Sequence, residues 1–355
     1  MRHAFCIIAF NDYEQLIKML KILDSEISDF YIHINALAEM PDCNKIKSEI
    51  HKSGVYFTKR LPIVWGENGV LNAQLVLLET ALEHGGYDYY HLLSGQDFPL
   101  KSLAALDSFL QSNLYNNSSE SLYTNYIDAR VSPDRAARER MIHYNWLIKY
   151  WRHSKKAVRG AIRGINLISH GVQRLMHVNR LKLSPDKIYY GSLWHSLTEA
   201  CVTFMIGNKE WFAKNFSKHS FAPDEGAVQT LLMNSEFRDS IYVPGQESPD
   251  VNLRLADYVR GSGASPYVFR VRDFEELVNS RDFFALLAFL AGGGVLRFTL
   301  RFVRGCFGFS RGFLPGRSFL ALVLRHLDLF ARHRDVPGGR FDHARLRGAE
   351  AVLAL

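Results

Sequence analysis

The chain has 355 residues, 47% of them hydrophobic, and a mean hydropathy of -0.10, which suits a soluble globular protein with a sizeable core and excludes a disordered polymer. Its four cysteines, Cys6, Cys43, Cys201 and Cys306, form no C-x-x-C pair and no zinc-like cluster, which argues against a disulfide framework or structural zinc and for a reducing, cytoplasmic setting. The net charge of +7 is confined to one end: through Ala285, 32 Lys+Arg face 32 Asp+Glu, whereas beyond it 11 Arg face 4 acids.

In chain order, residues 3–10 read as a buried strand, and 13–23 as a helix with Leu16, Ile17, Leu20 and Leu23 on one side. A second strand over 30–35 ends at Asn35. A short helix over 42–52, a strand over 55–58, a strand-like Ile63-Val-Trp-Gly66 and an amphipathic helix over 69–84 follow. An apolar run from Tyr89 then breaks at Ser94-Gly95-Gln96-Asp97, before a helix over 103–114. Strands alternating with helices predict an α/β domain with a mostly parallel sheet. Ligands of such sheets sit beyond the carboxyl ends of the strands, here a rim carrying Asn11, Asn35, Trp65 and Asp97. The Ser94–Asp97 turn offers N–H groups, a hydroxyl and a carboxylate to a ligand. It reads equally as a strand-to-helix turn, with Gly95 for its backbone freedom and Asp97 as a local cap. Neither G-x-G-x-x-G nor G-x-x-x-x-G-K-[ST] occurs.

Residues 116–120 read as a polar linker, and 130–182 as a basic, mostly helical insertion with Trp146, Tyr150 and Trp151 interleaved. Such a segment suits an anionic surface, a lid over a sugar, or a solvated excursion. No nucleic-acid motif accompanies it, and no nucleic-acid partner is expected. A strand over 187–190, a turn-rich 191–198, an apolar 199–206 and a helix over 208–218 follow. Pro223-Asp224-Glu225 then opens a helix over 226–233, where proline and acids are ordinary helix-start chemistry. From 286 the chain lacks Ile, Asn, Gln, Tyr, Trp and Met and holds 10 of the 25 glycines, which marks a boundary near 285. The apolar stretch 283–296 falls short of the roughly 20 residues of a membrane span. Followed by Arg297, Arg301, Arg304 and Arg311, this tail (286–355) reads either as a peripheral contact for an anionic membrane or as an extension without a role.

Several of these segments, in order, resemble the core-2/I-branching β-1,6-N-acetylglucosaminyltransferases and the related peptide O-xylosyltransferases. They are Ala4-Phe-Cys-Ile-Ile-Ala9, Phe30-Tyr-Ile-His-Ile-Asn35, Val64-Trp-Gly66, Leu92-Leu-Ser-Gly-Gln-Asp-Phe-Pro-Leu-Lys101, Gly191-Ser-Leu-Trp-His-Ser-Leu-Thr198 and Ser220-Phe-Ala-Pro-Asp-Glu225. The resemblance implies a GT-A-like domain over 1–285. It also implies an inverting enzyme that uses a UDP-sugar, N-acetylglucosamine first and xylose next, and a glycan acceptor without a metal cofactor. No Asp-x-Asp pair, the usual metal holder of sugar transferases, occurs in the chain.

By the same resemblance Glu225 is the general base. Asn35 stands where the family has an acid facing uridine, Trp65 beside the nucleotide, and Ser94 and Asp97 at the donor site. Trp194, Thr198 and Asp224 shape the acceptor pocket. The family follows its Phe-Phe-Ala segment with a phosphate-binding Lys, whereas Arg281-Asp-Phe-Phe-Ala285 here runs into Leu286-Leu287. Two explanations compete: the tail is an unrelated replacement of a lost family C-terminus, or another cation, such as Arg254, Arg260, Arg270 or Arg272, fills the role. Two other classes stay open at this point: a catalytically weak sugar-nucleotide-binding protein, and a glycoside hydrolase with Asp97 and Glu225 as its paired carboxylates.

Overall fold

The computed structural model describes residues 1–286 except 114, 118–119, 123, 132–134, 217, 246–247 and 262–265. All of these fall within one compact unit, Met1–Val295. The tail expected to touch a membrane lies, beyond Leu286, outside the described residues.

The central sheet grows from β1 (His3–Ala9), whose seven residues are all buried. It is flanked in parallel by β2 (Ser28–Ile34) and by β4 (Tyr89–Ser94), while β3 (Val55–Phe57) extends the β2 edge in parallel. A strand covered on both faces has no solvent side, which is why β1 reads as an unbroken apolar run and not as an alternation. On the other side of β4 the pairing reverses, with β11 (His195–Thr198) antiparallel to β4 and to β8 (Tyr126–Ile127). The order is β3-β2-β1-β4-β11-β8.

Helices α1 (Tyr13–Leu23) and α4 (Leu103–Ser112) bury Leu16, Leu20, Leu106 and Leu110 against one face. The other face is covered by α3 (Gly69–His84), α7 (Glu199–Gly207) and α9 (Ala227–Met233) through Leu71, Leu78, Met205 and Leu232. The remaining helices are α2 (Cys43–Ser48), α5 (Arg135–Ile142), α6 (Lys156–Leu175), α8 (Lys209–Phe216) and α10 (Phe274–Asn279). Caps follow the sequence: Asp12, Asp42, Ser102 and Thr198 each accept an N–H from the first turn of the helix that follows.

Two expectations are corrected. Residues 63–66 form no strand. Asn35 instead ties this segment to the end of β2, accepting from the Ile63 N–H (3.0 Å) and donating to the Ile63 carbonyl (3.2 Å). The polar linker expected at 116–120 is a hairpin of β6 (Tyr115–Asn117) and β7 (Glu120–Leu122). Two smaller ladders position the site. In one, β5 (Asp97–Pro99) pairs antiparallel with β13 (Phe284–Leu286), which pairs in parallel with β12 (Arg254–Leu255). In the other, β9 (Arg130–Val131) pairs with β10 (Tyr189–Tyr190).

Candidate active site

The rim beyond β1, β2 and β4 is closed by short backbone links. The Gly95 N–H donates to Ile8 (2.9 Å) and the Asn35 N–H to Ala9 (2.9 Å). Gly95 is required by contact, since a Cβ there would stand 2.9 Å from the Cβ of Ala9; its φ is not in the left-handed region. Asp97 does more than cap the turn. Its Oδ2 accepts from the Ser94 N–H (2.5 Å) and from Arg254 Nη2 (2.6 Å), and both side chains of this ion pair are buried. Burial pushes the Asp97 carboxyl up and the Arg254 guanidinium down, and each is opposed by the charge of the other. Arg254 also lies 4.2 Å from the centre of the Trp194 ring.

This arrangement follows from the strand register. Ser196 pairs with His91 and Thr198 with Tyr89, so the antiparallel β11 starts near the Ser94 end of β4 and runs away from it. Trp194, just before β11, therefore meets Arg254 above the rim. Thr198 lies about 16 Å along β4 from Ser94, at 3.3 Å per residue. It is buried there, bonded to Asn125 and capping α7, so the structure does not bring it to the acceptor side. The buried Asp97, tied to Arg254, also removes the paired-carboxylate hydrolase reading.

Glu225 sits in a one-turn 3₁₀ helix, Pro223–Glu225, entered through Ala222 in a left-handed conformation. Its Oε2 accepts from Arg140 Nη2 (2.6 Å), and Oε1 has no hydrogen bond among the described residues. The Arg140 guanidinium lies 4.9 Å from the Tyr190 ring centre. The Glu225 carbonyl accepts from the Gly191 N–H (3.0 Å). Gly191 has to be glycine, because a Cβ would stand 1.7 Å from the Asp128 carbonyl. Burial first, then the Glu225 charge, pushes both the Tyr190 and the Tyr258 hydroxyls up. Asp224, half-buried beside Glu225, is raised to about 7 by burial and by that like charge.

The 63–66 segment joins the same group. Ala222 N–H donates to the Gly66 carbonyl (2.8 Å), and the Trp65 and Phe221 rings meet edge to face at 5.6 Å. The Arg152 guanidinium lies 3.6 Å from the Trp65 ring centre. Asn35, Trp65, Asp224 and Glu225 are thus linked through one loop system, with Ser94, Asp97, Trp194 and Arg254 forming the neighbouring floor. Arg260 stands apart from both groups. It is exposed on the 256–276 segment and paired with Asp257 and Glu276.

A cavity of about 890 Å³ opens beside Arg140 and Tyr190, lined further by Trp151, Arg163, Arg174 and Phe221. Glu139 and His170 on its wall, with the buried His143 behind them, place ligand atoms within 4.8 Å of one another. The Glu139 carboxylate is held there by Arg135 (2.7 Å) and Arg174 (3.5 Å), two cations that oppose a bound metal ion. Sequence reading missed Arg140, Arg152, Tyr190 and Tyr258 as site residues. The basic and aromatic character of 130–182 was the available signal, but nothing in the spacing selects Arg140 or Arg152 among its many cations.

Comparison with known proteins agrees with the resemblance. A sequence model of the "Core-2/I-Branching enzyme" family matches residues 3–246. No curated protein sequence matches the chain. Among solved structures, it is similar to mouse xyloside xylosyltransferase 1 in its apo form, with 10% identity, 80% of this chain and 96% of that chain covered, and a TM-score of 0.35. It is also similar to core-mannan synthase A from Aspergillus fumigatus in its Mn/GDP form, with 10% identity, 67% and 70% of the two chains covered, and a TM-score of 0.31. With the family model spanning most of the chain, the protein belongs to the Core-2/I-branching enzyme family and is a glycosyltransferase.

Proposed function

We propose that this glycosyltransferase moves a sugar, N-acetylglucosamine first and xylose next, from a UDP-sugar to a hydroxyl of a glycan acceptor, with inversion and without a metal. The observation that carries the reading is Glu225, half-buried, fixed through Oε2 by Arg140, with Oε1 left for an acceptor hydroxyl. In the reaction the acceptor oxygen bonds to the anomeric carbon as its proton passes to Glu225. The bond from that carbon to the diphosphate oxygen breaks on the opposite face, and UDP departs with the electron pair. Trp65 and Asn35 mark the nucleotide side, and Trp194 and Asp224 the sugar and acceptor side.

The departing diphosphate needs a cation where no metal is held. Arg254 is neutralised by Asp97, and Arg260 by Asp257 and Glu276. Arg152, beside Trp65, has no carboxylate partner among the described residues and takes this role in the proposal. One unit charge about 4 Å from the phosphates is worth about 4 kcal/mol at an effective dielectric near 20.

Glu225→Gln tests the base. Turnover falls by about 10²–10⁴-fold while calorimetric UDP binding is kept. Full activity in Glu225→Gln overturns the assignment. If instead Asp224→Asn alone removes turnover, its carboxylate near neutrality is the base. UDP binding without transfer to any of a broad set of glycans marks a sugar-nucleotide-binding protein, the second reading that Leu286 in place of a family Lys favours.

A further inference from the structure

Helix α6 is attached to the protein by a side that buries Ile162 and two amides, Asn166 and Gln173. The Asn166 amide accepts from the Trp146 N–H (2.8 Å) and donates to the Trp146 carbonyl (3.0 Å), and the Gln173 amide makes the same pair of bonds with Tyr144 (2.7 and 3.0 Å). With Asn166 and Gln173 buried, the opposite side carries Ile165, Ile168, Val172, Leu175 and Met176 at three- and four-residue spacing. All five are exposed, Ile168 to 71% and Leu175 to 82%. A surface helix normally turns such a stripe toward the core. Here the stripe faces solvent, while the amides hold the helix in place.

The surroundings of the stripe are cationic. From Met141 to Pro185 the chain has nine Lys and Arg and no Asp or Glu. Lys155 and Lys156 stand exposed at the first turn of the helix, whereas Arg163 and Arg174 turn to the cavity, where Arg174 meets Glu139 (3.5 Å). Beside the helix stand the exposed Tyr144 and Trp146, the latter donating its indole N–H to Ser169 (2.8 Å). An exposed apolar stripe on a helix with cations at its start and aromatics beside it is the composition of helices that lie in the plane of a lipid headgroup layer. A protein partner would have to place acids against the exposed Lys149, Lys155 and Lys156, whereas an anionic bilayer presents negative charge at any register.

We propose that α6 is a membrane-docking helix that seats its Ile165–Met176 stripe in the headgroup region of an anionic bilayer. The helix that also lines the cavity through Arg163 and Arg174 then holds the active site next to a lipid surface. The proposal does not rest on the identity of the donor sugar.

The full chain is mixed with vesicles of phosphatidylcholine containing phosphatidylglycerol, with vesicles of phosphatidylcholine alone, and with no vesicles, then centrifuged. The protein pellets with the anionic vesicles and less so as salt is raised. Ile168→Glu/Leu175→Glu, at exposed positions, lowers that partitioning by about tenfold or more, with circular dichroism and UDP binding unchanged. Lys155→Glu/Lys156→Glu serves as a second variant and removes the preference for anionic over neutral vesicles. Equal pelleting of the wild type and Ile168→Glu/Leu175→Glu overturns the proposal and leaves any binding to other parts of the chain. So does failure of the wild type to pellet, or a concentration-dependent dimer that the same substitutions dissociate, which gives the stripe to a second copy.

Discussion

Asp97 illustrates what a single residue's environment decides. The sequence around it, Ser-Gly-Gln-Asp, shows a turn at a strand end and a carboxylate at the site. It does not show that the carboxylate is spoken for by Arg254, 157 positions away. That partnership depends on β13 reaching β5, a pairing at long sequence distance with no local signature. With both members enclosed, removing one charge strands the other. Asp97→Asn is therefore expected to lower stability by about 3–5 kcal/mol, read from urea unfolding of the two proteins. A loss below about 1 kcal/mol means that Arg254 finds water or another acceptor. Glu225 was legible for a different reason: its role came with the short Pro-Asp-Glu motif, although composition alone would have made it a helix-start acid. The neighbouring Asp224 has a measurable pH signature. Its folded carboxyl titrates at about 7, above the ordinary value, so the folded state binds more protons than the unfolded state between about pH 4 and 7. Stability from this group is present at the acid side of that window and is lost as pH rises through 7. Asp224→Asn removes the dependence, and its thermal midpoint should exceed that of the wild type by more at pH 8 than at pH 5. An equal difference at both pH values contradicts the raised titration.

At the scale of elements, the strands and helices that fill the core were legible because their periodicity is imposed by burial. The all-apolar β1 and the Leu16–Leu23 spacing of α1 leave little freedom. The segment 63–66 was misread because three apolar residues before a glycine fit a strand and an irregular loop equally well. What decides is the Asn35 amide, which takes up both backbone groups of Ile63 in place of a neighbouring strand. The hairpin at 115–122 was hidden by Asn and Ser, whose composition suggests a linker. In α6 the two-sided pattern is plain in the sequence, but which side faces inward is not, because the side that packs is the one carrying Asn166 and Gln173. Periodicity fixes the faces of a helix; the hydrogen bonds available at its destination fix its orientation.

Over the whole molecule, the site is assembled from residues between Asn35 and Tyr258, brought together by the sheet rim, the 63–66 loop, the start of the insertion and the Pro223–Glu225 turn. The parallel order of β3, β2, β1 and β4 puts their carboxyl ends on one side, and the antiparallel β11 brings Trp194 to that same side. The cations show how far a chain-wide charge count is from a local one. Through Ala285 the chain is balanced, yet its arginines are distributed so that Arg140, Arg254 and Arg260 meet carboxylates while Arg152 meets none among the described residues. The central claim is metal-free, inverting transfer from a UDP-sugar, and one experiment addresses it directly. The protein is supplied with UDP-N-acetylglucosamine or UDP-xylose and a glycan panel in excess EDTA, with UDP release and the anomeric configuration of the new linkage followed by NMR. The account predicts acceptor-dependent UDP release at the rate seen without EDTA and a linkage of configuration opposite to that of the donor; loss of activity in EDTA, or a linkage that keeps the donor configuration, would contradict it.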